Sequence, residues 1–289
     1  MGFLFHESLI AGIFLGGRGN QGISGGVHKA KSPSIGISFS DECQKGCVQV
    51  SDKIIFDPNA YPGRGAVVAS ITLNRPEKEN AVDESMIDEF TEILSNVKDS
   101  HAVILLIKGS GGNFCAGRDA SPGSSHSPFK IMLSKIIRLN SLLLEMPQIT
   151  VAEVNGKALG FGCGLSLLSD ISVASSDSIF GFPEMNYNLP PTIVASYLPR
   201  WISRKKAFGL IVSGRDISAE EAEKLGLVSE VVPERDFIQR VSWWINNLLG
   251  KSPSALKMCK SFSRTTRNMS FEDATNYGLV ALSEWSTSK

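Results

Sequence analysis

Hydrophobic positions along this chain switch repeatedly between short continuous runs and a three-to-four-residue spacing, which predicts strand, turn and helix in recurring order. Residues 1–45 stand apart. This stretch is rich in Gly and Ser, carries few acidic residues, and has one apolar run, Leu9 to Leu15, that is too short to span a bilayer. A disordered extension is expected there. From Cys47 two β-branched runs, CVQVSDKIIFD and GAVVASITLNRP, flank a Pro/Gly-rich connection at Asn59 to Gly65 and predict a hairpin. Asp83 is placed to cap a helix from Glu84 to Val97, whose Met86, Phe90, Ile93, Leu94 and Val97 fall on one face. Ala102 to Gly109 is continuously apolar at strand length, as expected for a strand buried on both faces.

A polar stretch follows, Ser121 to Pro128, expected to be a mobile lip, and then a helix from Phe129 to Met146 that Pro147 stops. Strand Ile149 to Val154, a helix from Gly162 to Leu168 and strand Ile171 to Ala174 repeat the order. Repeated units of this kind imply a largely parallel sheet with helices on its faces, an α/β fold. The remainder is predicted mostly helical: Ile193 to Trp201, Ser203 to Ser213, and Ala219 to Leu225 with Ser218 and Glu221 in a capping box. After a short strand, Leu227 to Val232, helices are expected at Phe237 to Leu249, Pro253 to Arg264 and Phe271 to Glu284.

Composition narrows the partners. In 289 residues, 42% are hydrophobic and 20% charged, which is ordinary for a globular chain with a buried core. Lys plus Arg and Asp plus Glu are each 29, without a long block of one sign, so neither nucleic acid nor an anionic membrane surface is indicated and a small-molecule partner is. Five cysteines, an odd number, with no secretory pattern, argue against a disulfide framework and for a cytoplasmic or organelle-matrix setting. Cys43 and Cys47 have no second pair at the spacing of a zinc site, so no metal is expected.

Candidate chemistry gathers in two glycine loops. GNFCAGRDA, Gly112 to Ala120, and NGKALGFGCGLSLLSD, Asn155 to Asp170, each join a strand-like run to an apolar helical one through tight turns. Unpaired amides at such turns can face a polarised oxygen, and two of them converging make an oxyanion hole. These motifs, followed by SDISVASSDSIFGFPEMNYNLPP, resemble the enoyl-CoA hydratase/isomerase (crotonase) superfamily over Val48 to Glu284. The resemblance implies a spiral of ββα turns over residues 46–213 with a helical C-terminal part over 214–289, and a homotrimer or pair of trimers. It also implies that relatives continue one helix beyond Lys289. The implied substrate is an acyl-CoA thioester, with no cofactor other than the coenzyme A of the substrate itself.

By the same resemblance, the oxyanion donors are the backbone N–H groups of Arg118 and Phe161; Ala116, Asp119 and Gly160 in the two loops, and Tyr187 further on, are the candidate substrate-binding positions. Hydratases of the family use two glutamates. Here the first position is Gly164 and the second is Glu184, whose neighbours Phe180, Phe182 and Pro183 are apolar and can raise its pKa. One carboxylate suits an enoyl-CoA isomerase or a hydroxycinnamoyl-CoA hydratase-lyase, whose PE-x-N-x-x-x-PP pattern is similar to PEMNYNLPP. The alternatives are a hydratase in which another residue replaces the lost acid, and a catalytically silent acyl-CoA or acyl-protein binder. A carbon–carbon hydrolase of diketones would need histidines that the chain does not evidently supply.

Other polar residues have plainer expectations. Asp119 suits an Asx-type brace of its loop, Asn188 a left-handed turn, and His126 a solvated place in the lip. Cys115 and Cys163 are expected as packing residues. Asn186 could meet a substrate tail, and Lys130, Lys135 and Arg138 either coenzyme A phosphates or only solvent.

Overall fold

The computed structural model describes residues 48–49, 51–61 and 67–287, so the expected extension over 1–45 lies outside the described residues. Strand β1 (Val48–Gln49) pairs antiparallel with β2 (Ile54–Asp57), which pairs antiparallel with β3 (Val67–Leu73). The first apolar run is therefore two strands. Its break is Ser51, whose hydroxyl accepts the N–H groups of Lys53 at 3.1 Å and Ile54 at 3.2 Å and turns the chain locally. Helix α1 (Glu84–Lys98) starts where expected, with the Asp83 carboxylate accepting the Met86 N–H at 3.0 Å.

Strand β4 (Ala102–Gly109) lies parallel to β3 and explains its own apolar run. Leu105 and Ile107 pack into one core with the face of α1, while Ile104 and Leu106 pack into a second. Alternate residues thus serve opposite faces of one sheet, so neither face has room for a polar side chain. Helix α2 (Phe129–Glu145) covers the first core beside α1.

Next come β5 (Ile149–Val154), β6 (Lys157–Leu159), α3 (Phe161–Leu168), β7 (Ile171–Ser175) and β8 (Ile179–Gly181). A 3-10 turn over Pro183–Tyr187 leads to α4 (Thr192–Tyr197) and a second 3-10 turn, Leu198–Arg200. The helix expected over residues 193–201 is thus interrupted: Pro199 lacks the N–H that a continuing α-helix requires. Helix α5 (Arg204–Ser213), β9 (Asp216–Ser218), α6 (Ala219–Leu225), β10 (Glu230–Val232), α7 (Glu234–Leu249), α8 (Pro253–Thr266) and α9 (Phe271–Thr287) complete the order.

The large sheet runs β1-β2-β3-β4-β5-β7-β10, and the small one β6-β8-β9. From β3 onward the large sheet is parallel, and α7 closes its second face with Phe237, Val241 and Ile245. The spiral is visible in how the turns alternate. Strand β4 enters the large sheet and Cys115, just after it, bridges Ala158 of β6; then β5 and β6, and β7 and β8, each place one strand in either sheet. Strands β9 and β10 extend both sheets past residue 213, with α6 between them. Among the described residues, no helix is long and apolar enough to cross a membrane.

Candidate active site

The two glycine loops meet because Cys115 of the first bridges Ala158, in β6 of the second. Cys115 donates its N–H to Lys157 O at 2.8 Å, and Leu159 donates to Cys115 O at 3.0 Å. The contact leaves no space for side chains: a Cβ on Gly162 would lie 2.1 Å from Cys115 O, and one on Gly156 would lie 2.2 Å from Gly112 O. Gly117 has φ +113°, and a Cβ there would lie 3.1 Å from Leu159 O and 3.9 Å from Phe161 N. The backbone of one loop therefore rests directly against the other.

Neighbouring bonds hold the two candidate donors in place. Val82 donates to Gly117 O and Asp119 donates to Val82 O, each at 2.8 Å, fixing the peptides on either side of Arg118. Phe161 is the first residue of α3, where helix geometry leaves an N–H without an intrahelical acceptor. Among the described residues neither the Arg118 nor the Phe161 N–H has an acceptor.

Glu184 arrives from the adjacent strand. Leu159 of β6 pairs with Gly181 of β8, and Gly160 donates its N–H to Gly181 O at 2.8 Å, so the two strands end side by side. The buried rings of Phe180, in β8, and Phe182, just after it, anchor the 3-10 turn that carries Glu184. Its Oε1 lies 3.2 Å from the place a Cβ on Gly160 would take, and its Oε2 is buried without a hydrogen-bond partner. Burial raises the Glu184 pKa above the ordinary carboxylate value, and the nearby positive charge of Arg118 offsets this in part. A carboxylate with a raised pKa and one unpartnered oxygen, beside free amides, is the arrangement a proton-transfer site needs.

The other expected residues divide. Asp119 accepts from Arg75 at 2.8 Å and from the Ser121 N–H and hydroxyl at 2.9 and 2.6 Å. Its burial is outweighed by those bonds, which hold its pKa down to about 2, so it braces the loop as a charged group. Ala116 donates its N–H to Glu79 O at 3.0 Å, and Gly160 takes φ +51° at the start of α3. Asn188 adopts the left-handed conformation at φ 56°. Tyr187 is 78% exposed, and Asn186 donates to Gly214 O at 2.8 Å, so the structure turns one to solvent and engages the other with backbone. Cys115 and Cys163 are buried, with thiol pKa values pushed by burial to about 12, which removes them as nucleophiles.

The lip is pinned, contrary to expectation. The buried Glu84 carboxylate accepts from the Ser125 hydroxyl, the His126 and Ser127 N–H groups and the Lys135 ammonium at 2.6 to 2.9 Å. His126 has an exposed side chain, and Lys135, bonded also to Asp88 at 2.6 Å, is committed to that cluster and not to a phosphate.

One site residue has no signal in the sequence. A Cβ on Gly164 would lie 2.5 Å from the Tyr197 hydroxyl oxygen, so the phenol of α4 enters the space where the family's first glutamate would begin. Nothing in the spacing connects Gly164 to Tyr197; only the packing of α4 against α3 does.

The family model described as "Enoyl-CoA hydratase/isomerase" matches residues 63–281. A probable enoyl-CoA hydratase of Mycobacterium tuberculosis is 32% identical over 215 residues, covering 74% of this chain and 82% of that protein. The short-chain-enoyl-CoA hydratase of Clostridium acetobutylicum is 32% identical over 201 residues, covering 67% and 76%. Among solved structures, an enoyl-CoA hydratase of Mycobacterium smegmatis superposes with a TM-score of 0.73 at 26% identity, covering 81% of this chain and 90% of that one. An enoyl-CoA hydratase of Bacillus anthracis gives 0.73 at 27% identity, covering 80% and 90%.

Proposed function

The chain belongs to the enoyl-CoA hydratase/isomerase family, and from that premise we propose that it works on an acyl-CoA thioester whose carbonyl oxygen sits between the Arg118 and Phe161 N–H groups. The enolate that forms when the neighbouring carbon loses a proton carries its charge on that oxygen. Each amide donor contributes on the order of 3 kcal/mol to the transition state. Glu184 takes the proton and returns it. The observation that carries this reading is the Glu184 carboxylate, whose Oε1 stands beside Gly160, the residue before Phe161, and whose Oε2 is buried without a partner.

A lone carboxylate suits proton removal at one carbon and return at another, hence isomerisation of a 3-enoyl-CoA, or hydration and cleavage of an aryl-enoyl-CoA. Simple hydration is the second reading, favoured by the names of the curated relatives and by the hydroxyl at Gly164. Incubation of the purified protein with a 3-enoyl-CoA, feruloyl-CoA and a 2-enoyl-CoA separates these. Shift of the double bond or aldehyde release is the expected product; calorimetric coenzyme A thioester binding with no turnover of any of the three would mean a silent binder.

The proposed assembly is a homotrimer or a pair of trimers. Support comes from α9, whose Phe271 is 89% exposed and whose Leu279, Val280 and Leu282 are also exposed, an apolar surface suited to a second copy.

A further inference from the structure

We propose that Tyr197 is a water-holding residue of this site, replacing with a phenol the acid lost at Gly164, and that it adds hydration of 2-enoyl thioesters to the chemistry available to Glu184. This rests on the reading of Glu184 and the two amides given above. Three placements carry it. The Tyr197 hydroxyl fills the position a side chain on Gly164 would occupy, at 2.5 Å from the Cβ. Glu184 Oε1 stands at the corresponding place beside Gly160, 3.2 Å from the Cβ. Gly164 donates its N–H to the carbonyl of the N-cap Gly160 at 3.0 Å, so the two groups flank the N-terminal turn of α3.

The charge of Glu184 acts on the Tyr197 phenol, which places the two groups near one another. A single water oxygen making two hydrogen bonds of about 2.8 Å bridges groups up to about 5.6 Å apart. Both partners are available: Glu184 Oε2 is buried without a partner, and burial and the charges of Cys163 and Glu184, with no hydrogen bond among them, act on the Tyr197 hydroxyl. The tyrosine ring is held by an edge-on contact with Trp201, centroids 6.2 Å apart, over which Arg267 lies at 4.1 Å. Burial, with the neighbouring Cys163 and Glu184, keeps the phenol protonated, so it offers a hydroxyl and not a charge.

The step balances without a further reactant. Glu184 accepts one hydrogen of the water, and the Tyr197 oxygen accepts a hydrogen bond from the other. The water oxygen then bonds to C3 of the 2-enoyl group, and the displaced π pair moves onto the thioester oxygen between the amides. Glu184 delivers its proton to C2 as the enolate collapses. Isomerisation of a 3-enoyl-CoA uses Glu184 and the amides but no water, which makes it an internal control.

The test is the ratio of the two reactions. Tyr197→Phe should lower kcat for hydration of a short 2-enoyl-CoA roughly tenfold to a hundredfold, the value of one hydrogen bond in a dry site, with KM nearly unchanged. The same variant should leave 3-enoyl-CoA isomerisation within about threefold. Gly164→Ala attacks the same hydroxyl from the other side: it should impair hydration in the wild-type background and cost nothing further with Tyr197→Phe, where the ring carbon is 3.7 Å from the added Cβ. Unchanged hydration in both single variants, an equal fall in both reactions, or a wild-type protein that isomerises but never hydrates would each overturn the role of Tyr197 and leave the Glu184 reading standing. Loss of neither reaction in Glu184→Gln would instead overturn the reading beneath it.

Discussion

Glu184→Gln is expected to cut turnover by about a thousandfold, within the range of 10²–10⁴ typical for a positioned acid/base group, while thioester binding survives. Gln has the same shape and cannot exchange a proton, so the loss should fall on kcat and leave KM close to its original value. The pH behaviour supplies a second readout. Because burial raises the Glu184 pKa, kcat/KM of the wild type should fall as pH drops through a midpoint above the ordinary carboxylate range. That limb should vanish from the residual activity of the variant. Stability should move the other way: a carboxyl whose folded pKa lies above its unfolded value penalises the fold increasingly as pH rises past the unfolded value, and in full above the folded one. Glu184→Gln should therefore melt no lower than the wild type at pH 7, with the difference gone by about pH 4. A variant that keeps full activity, or that melts far lower at pH 7, means that Glu184 is a structural carboxylate.

Gly117→Ala is expected to reduce activity by 10²–10³, the cost of one oxyanion donor, without touching any titratable group. Gly117 holds φ +113°, which L side chains rarely adopt, and the new Cβ would press on Leu159 O at 3.1 Å. Strain of this kind costs about 1–3 kcal/mol. It is relieved only by moving one loop away from the other, and that movement takes the Arg118 N–H out of line with Phe161. The loss should appear in kcat for every thioester tested, with the Glu184 pH limb unmoved. Full activity in a variant with a lowered melting temperature would show that the loops pack together without serving the reaction.

Which parts of this were legible beforehand follows from how local their causes are. Helix α1 could be read because its cap, Asp83, and its stripe, Met86 to Val97, lie within one segment. Strand β4 could be read because burial on both faces leaves an unbroken apolar run. The strands β6, β8 and β9 have three residues each and exist through pairing with one another, so no window of sequence contains their cause. The glycine loops were legible because a backbone that must approach another backbone within about 2 Å of a virtual Cβ admits only glycine, and that requirement is written at Gly156 and Gly162. Glu84 and Tyr197 were not. One sits among ordinary helical residues and the other in a short apolar helix, and each acquires its role from a segment far away in the chain.

The central claim is that a thioester oxygen lies between two backbone donors with one carboxylate over the adjacent carbon. A crystal structure of the protein with an unreactive acyl-CoA analogue tests it directly. The predicted result is a carbonyl oxygen at about 2.7–3.1 Å from both the Arg118 and Phe161 nitrogens, as oxyanion-hole geometry requires, with a Glu184 oxygen facing C2. An acyl group bound elsewhere, or a carbonyl oxygen out of reach of either nitrogen, would contradict it.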